Sequence, residues 1–368
     1  MRILCAPDSF KGTCHATDVA AAMQRGIRSL NRDDIDIDCC AMADGGEGTA
    51  LILAAAAKAT RVSVDGVANP NGDAITAHYA IDATARRAFV DLASASGWHF
   101  INPESPSILD RTTRGTGQLL AHAMQQDVDE IILGIGGSAT CDGGIGILQE
   151  LGVILRGADG AELTAPIQPR HLDSIATIDS IHLPVLLRIA ADVRNPLTGP
   201  DGAAEIYGPQ KGASPDEVRI LEQGLHHLAS LSSQDADAES SGAAGGVAFG
   251  LASWTNASVE PGIDLIADMV HLDERLDAAD IVLTGEGRFD AQSRSGKVVD
   301  GILDRARERS IAAGMICGSI DETLIAGESI SSVDLSASFG AAFAQQQVEE
   351  AIERATASLV SRILAGSA

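Results

Sequence analysis

The residues best suited to chemistry stand in stretches that share one design, an apolar run followed by small residues and a carboxylate. They are ILCAPDSFKG (3–12), CCAMADGGEG (39–48), LGIGGSATCDGG (133–144) and IVLTGEGRFD (281–290), with LRIAADVRNP (187–196) matching except for glycine. A short apolar run bounded by turn residues reads as a buried strand. In parallel α/β sheets, ligands lie beyond the carboxyl ends of the strands. If those ends face one way, Asp8, Asp44, Glu47, Asp142, Asp192, Glu286 and Asp290 converge on one cleft. So many carboxylates need a counter-charge, and Mg²⁺ suits both carboxylate and phosphate oxygens. Glycines beside the acids let backbone N–H groups approach a phosphate. For any one stretch alone, the acid reads better as the N-cap of the next helix. Recurrence of the pattern, with Gly-Gly beside the carboxylate, turns the balance toward a site.

Cations are few. Lys11 follows Asp8 in the first of these loops and can reach phosphate oxygens as a compact point charge, or sit solvated on the surface. Arg288 stands between Glu286 and Asp290, where it neutralises a phosphoryl group or pairs with its neighbours. Lys211 and Lys297 adjoin glycines, but the phosphate-loop pattern GxxxxGK[ST] is absent. Thr113, Arg114, Ser138 and Thr140 can hydrogen-bond a hydroxy-acid or cap helices. Gly134, Gly136 and Ala139 satisfy the dinucleotide pattern G-x-G-x-x-G/A. The acid expected about 20 residues on, Asp159, falls instead in the turn RGADGAE. An NAD-dependent oxidoreductase of a small hydroxy-acid is therefore a second reading, and a non-catalytic nucleotide or metabolite sensor a third. The nucleophile motif G-x-S-x-G does not occur.

The elements that must position these residues follow from periodicity. Helices are expected over 17–30 (with Thr17 as N-cap), 50–58, 115–126, 296–309 and 345–364, and strands over 1–6, 35–41, 130–135 and 184–191. Between about 60 and 91 the chain alternates in short pieces with turns, which suits an antiparallel or mixed sheet. Residues 194–213 read as a long loop and 233–245 as a mobile linker. The expected fold is α/β with two domains. A Rossmann-like or flavodoxin-like parallel sheet is built from both chain ends (1–60 plus 280–368), and a mixed-sheet α/β domain (61–279) is inserted, with the active site in the cleft between them. A formal net charge of −25 argues against nucleic acid and anionic membrane as partners. No apolar run is long enough to span a bilayer. Scattered cysteines without C-x-x-C point to a reduced, cytoplasmic setting. A homo-oligomer is compatible with all of this.

The ordered blocks APDSFKG, MADGGEGT, GIGGSATCDGG, ADVRNPLTGPDGAAEIYGPQKGA, GAAGGVAFGL, PGIDLI and TGEGRFDAQSRSGK resemble the type I bacterial glycerate kinases, from residue 3 to about residue 320. The resemblance implies two α/β domains, one inserted in the other. It implies transfer of the γ-phosphate of ATP to a hydroxyl of D-glycerate or a related hydroxy-acid, generally giving 2-phosphoglycerate, with ATP and Mg²⁺ bound. On that footing Lys11, Gly136, Gly137, Ser138 and Arg288 are expected to hold phosphates. Asp44, Glu47, Glu286 and Asp290 are expected to hold the metal. Asp192 is the expected general base, with Asp8 as second choice and Lys11 beside them in the catalytic set. Ser9, Arg114, Ser138 and Asp142 are expected to orient the acid. Two departures bear on substrate: Cys141 stands where the family has Asn, and Thr112-Thr113-Arg114-Gly115 where it has T-S-Y-G. Arg114 places a guanidinium where a phenol is expected.

Overall fold

The computed structural model describes the whole chain except residues 11, 47, 291–292, 294–296, 326–329 and 367–368. Two candidate site residues, Lys11 and Glu47, thus lie outside the described residues. The chain divides into two compact units, Met1–Asp44 with Ile263–Ala368, and Gly45–Gly262.

In the unit built from both ends, a parallel sheet runs in the order Ser331–Asp334, Ala312–Ile320, Ile281–Phe289, Arg2–Cys5, Asp36–Cys39. Successive strand residues point to opposite faces, and both faces are covered. Ile3, Cys5, Leu283 and Ile316 pack on Met23 of the Ala16–Arg28 helix and on Ile352 and Leu359 of the Val348–Leu364 helix. Phe289, Met315 and Cys317 pack on Val299 and Leu303 of the Val298–Glu308 helix. Each such aliphatic side chain withdrawn from water contributes roughly 1.5–3 kcal/mol. The Ile281–Phe289 strand continues through the expected loop GEGRF, because Gly285–Phe289 stay in register with Ile316–Ile320. A Cβ at Gly285 would sit 1.9 Å from the carbonyl oxygen of Ile316, so only glycine allows this approach. Glu286 is therefore a strand residue, held rigidly rather than on a loop.

In the inserted unit the sheet order is Ser258–Pro261, Leu186–Ala191, Glu130–Gly134, Arg87–Asp91, Ala74–Asp82, Thr60–Ala68. The first of these strands pair in parallel, and the last two join antiparallel. This is the mixed sheet that the alternating segment implied. The core joins Leu119, Leu133, Ile189, Leu225 and Val247 from strands and helices. The Pro215–Ser230 helix opens on a complete capping box, in which Ser214 and Glu217 each bond the other's backbone N–H.

Several elements differ from expectation for identifiable reasons. The Thr49–Ala56 helix belongs to the inserted unit, since Ala50 N–H donates to the Asp91 carboxylate at 2.9 Å. The division thus falls before Gly45 rather than near residue 60. At the far end it falls at Ile263 rather than near 280, because Asp264 pairs with Arg305 and Asp277 with Arg309. The first helix starts after His15, and Thr17 lies inside it rather than capping it. The long loop 194–213 contains a helix, Ala203–Tyr207, and a 3-10 turn, Pro209–Lys211. Segment 233–245 is no free linker: the Ser241 hydroxyl bonds the carbonyls of Ala236 and Ala238, and Leu197 N–H donates to Ala236 O. No described helix is long and apolar enough to cross a membrane.

Replacing Gly285 with Ala should lower unfolding free energy by about 1–3 kcal/mol, the usual cost of overpacking. Urea unfolding measures it, and an unchanged midpoint would mean the Gly285–Ile316 approach is loose.

Candidate active site

The inserted unit carries a cleft of about 370 Å³ at the carboxyl ends of its parallel strands. Its walls include the turn Ile135–Ser138, Asp192, Tyr207, Lys211, Ala244 and Trp98. Asp192 follows the buried Leu186–Ala191 strand directly, so a rigid element delivers its half-buried carboxylate. Opposite in origin is the glycine turn after the Glu130–Gly134 strand. Gly137 has φ +71, a left-handed conformation that glycine adopts without strain. Gly136 N–H already donates to Gly45 O at 3.2 Å. The N–H groups of Gly137 and Ser138 have no bonded partner among the described residues, and they remain for a ligand.

Lys211 is the cation of this cleft, and it is buried. Its Nζ donates to Thr140 O at 2.8 Å and to Ser138 Oγ at 3.3 Å. No carboxylate pairs with it among the described residues. Burial pushes its pKa below the ordinary lysine value. Arg111, also buried, donates to the carbonyls of Lys211 (2.8 Å) and Ala139 (3.4 Å), and its guanidinium lies 5.9 Å from the Trp98 ring centroid. Arg111 thereby ties the two walls together. Ala244, whose carbonyl meets Ser138 Oγ at 3.4 Å, sits in left-handed backbone (φ 55, ψ 33), a strained state for a residue with a Cβ. Tyr207 donates to Asn195 Oδ1 at 2.6 Å, and burial pushes its phenol up to about 12.

The unit built from both ends has its own cleft, of about 350 Å³, at the ends of the Arg2–Cys5, Ile281–Phe289 and Ala312–Ile320 strands. Asp8, Ser9, Glu286, Arg288, Asp290 and Lys297 line it. Asp8 and Glu286 are buried, Asp8 accepting Ser9 N–H at 2.6 Å. Arg288 is mostly exposed and pairs with Asp290 at 3.2 Å. Asp44 is buried and does not line this cleft. Among the described residues no group of three or more His, Cys, Asp or Glu is gathered tightly enough to cage a metal. Mg²⁺ does not require such a cage, since it is usually held by one or two carboxylates plus substrate phosphates. Asp8, Glu286 and Asp290 are donors of that kind.

Residues 3–365 match the Glycerate kinase family. The chain belongs to the glycerate kinase family. A glycerate kinase of Bacillus subtilis (strain 168) is 38% identical over 329 residues, covering 87% of this chain and 85% of that protein. An Escherichia coli (strain K12) protein named glycerate 2-kinase is 36% identical over 330 residues, covering 88% and 86%. A crystal structure from Salmonella typhimurium LT2, assigned as a glycerate kinase 2, is similar with a TM-score of 0.84 at 34% identity, over 100% of this chain and 99% of that one.

Within this glycerate kinase family member, several expected roles need correction. Asp8, Glu286 and Asp290 line the cleft of the unit built from both ends, and Asp192 lines the cleft of the inserted unit. Asp142 is fully buried and accepts from Thr113 N (2.9 Å), Thr113 Oγ1 (2.8 Å), Gly144 N (3.1 Å) and Gly146 N (3.4 Å). These donors tie it into the loop scaffold, and it fills the amino end of the Ile145–Glu150 helix itself. That also disposes of the dinucleotide pattern, which needs its glycine turn to open directly into a helix with a vacant amino end. Arg114 does not reach the Asp192 cleft. Its guanidinium pairs with Glu150 at 2.5 Å and lines a separate depression with Gln149 and Glu162. Cys141 is likewise buried, its thiol pushed up to about 12 by desolvation. Neither departure from the family pattern touches the Asp192 cleft. Lys211 was noted in the sequence only as a cation adjoining a glycine, with no role assigned. Its signal was a lysine between Pro209 and Gly212 in a tight turn, which resembles any surface lysine until burial is known.

An Asp142→Asn substitution sets an amide NH₂ against N–H donors, and it should destabilise the protein by about 3 kcal/mol with little change in substrate KM. Chemical denaturation and steady-state kinetics check this together. Unchanged stability with a raised KM would return Asp142 to the substrate.

Proposed function

We propose that this protein transfers the γ-phosphoryl group of ATP to the 2-hydroxyl of D-glycerate, giving 2-phosphoglycerate and ADP. The observation that carries the reading is Asp192, presented by the end of a buried strand in a cleft that also holds the N–H groups of Gly137 and Ser138. The names of the relatives support glycerate as acceptor, and that of the Escherichia coli protein supports the 2-position. In this reading the Asp192 carboxylate accepts the proton of the acceptor hydroxyl. The hydroxyl oxygen bonds to the γ-phosphorus as the bond to the β-bridging oxygen breaks, and ADP leaves with that electron pair. The Gly137 and Ser138 N–H groups stabilise the equatorial oxygens, as positioned donors do in phosphoryl transfer.

We assign nucleotide handling to the acidic cleft. Arg288 and Lys297 supply cations there, and Lys11, three residues after Asp8 in the sequence, is assigned to the phosphates as well. Asp8, Glu286 and Asp290 would hold the Mg²⁺ that accompanies ATP. When bound, that ion neutralises phosphate charge, which a chain of net charge −25 otherwise repels. Ser9 stays beside Asp8 in this cleft, so its role moves from the acceptor to the nucleotide.

Asp192→Asn should lower kcat by about 10²–10⁴-fold, the usual contribution of a positioned base. A coupled ADP-release assay over small hydroxy-acids, with and without Mg²⁺, followed by phosphorus NMR of the product, tests the whole reading. Absence of glycerate-dependent ADP release from the wild-type protein would end it. A near-wild-type kcat for Asp192→Asn would remove only the base.

A further inference from the structure

The ammonium of Lys211 has no task in the chemistry described so far. It is only 6% exposed, yet it lines the Asp192 cleft. Its described partners are neutral oxygens of Thr140 and Ser138, which use two of its three donors. A structural lysine is normally paired with a carboxylate when buried, since an isolated buried charge is costly. Here a second buried cation, Arg111, lies against the Lys211 backbone and likewise bonds only carbonyl oxygens. Asp142 and Asp192 act on the Lys211 ammonium through space, and Glu217 on Arg111, but among the described residues no carboxylate bonds either cation, so Lys211 keeps a donor for an anion in the cleft.

We infer that Lys211 is the specificity-determining residue of the acceptor site, binding the carboxylate of the hydroxy-acid while Asp192 engages its hydroxyl. This rests on the acceptor reading given above. Ser138 and Thr140 act as positioning residues: they hold the Lys211 side chain in place, and Ser138 Oγ, itself tied to Thr140 Oγ1 at 3.1 Å, fixes where Nζ sits. Arg111 holds the backbone carbonyl of the same residue. A carboxylate bound here exchanges its hydration for a charge-assisted hydrogen bond inside a water-poor wall, where such bonds are strongest. A neutral alcohol of the same shape leaves the ammonium uncompensated, so the site rejects it. No aromatic or apolar complementarity is needed for that discrimination.

The test compares D-glycerate with its neutral isostere glyceramide, using ADP release by wild type, Lys211→Met and Lys211→Gln. The wild type should prefer glycerate strongly. Both variants should raise the glycerate KM by roughly 30-fold or more, with ATP KM nearly unchanged and the residual glyceramide rate unchanged or raised, so that the preference collapses. Thermal-shift titration with glycerate alone should show stabilisation of the wild type and its loss in both variants, which reports binding even if one variant turns over poorly. An unchanged glycerate KM overturns the inference. So does a raised ATP KM with glycerate binding intact, which would place Lys211 on the phosphates, or an equal loss on both acceptors, which would make it structural. A wild type inactive on glycerate sinks the acceptor reading instead, and so the two failures are distinguishable.

Discussion

The carboxylate of Asp142 is the interaction on which the inserted unit's cleft depends. Taking an ionised acid out of water costs several kcal/mol even after relaxation. Each hydrogen bond to a charged acceptor returns roughly 1.5–3 kcal/mol, and Asp142 gathers donors from Thr113, Gly144 and Gly146. Burial pushes its pKa up while those donors pull it down. Because they come from two separated segments, satisfying the acid fixes the 138–144 loop against the start of the Arg114–Met124 helix. The cleft wall carrying Ser138 and Thr140 is anchored at its far end by this one group.

Close backbone approach is the second constraint. The Gly285 contact keeps the strand carrying Glu286 in register with its neighbour, and the left-handed Gly137 bends the turn so that its N–H groups stay unspent. At both places a missing side chain, rather than a reactive one, sets the position of functional groups. Acidic composition and local cationic character are reconciled in the same way. Most carboxylates are at the surface or paired with arginine, while Lys211 and Arg111 are withdrawn from solvent with carbonyl partners, so their field is little screened.

Much of the architecture was legible in the chain. The parallel strands around Ile3, Ile132, Ile189 and Val282 read as short apolar runs, and the alternating segment before residue 91 read correctly as the antiparallel part of a mixed sheet. The blocks carrying Asp8, Asp192 and Glu286 pointed to strand ends that the structure places on clefts. Local cues misled where a distant partner decided the outcome. The helix after Asp44 joined the inserted unit because Asp91 accepts from its first turn, and segment 233–245 is held by Leu197 rather than left to move.

The sequence by itself determined which residue types stand at strand ends, because period-two and period-3.6 burial is a local property of the chain. Membership of the family followed from those same blocks. Only the tertiary structure decided what each polar residue does. Asp142 is separated from Thr113 by 29 positions and Lys211 from Thr140 by 71, and no spacing rule connects them. Whether a carboxylate caps a loop or faces a cleft, and whether a lysine is solvated or buried, depends on which distant backbone groups arrive beside it. That arrival sets desolvation, and desolvation sets the chemistry.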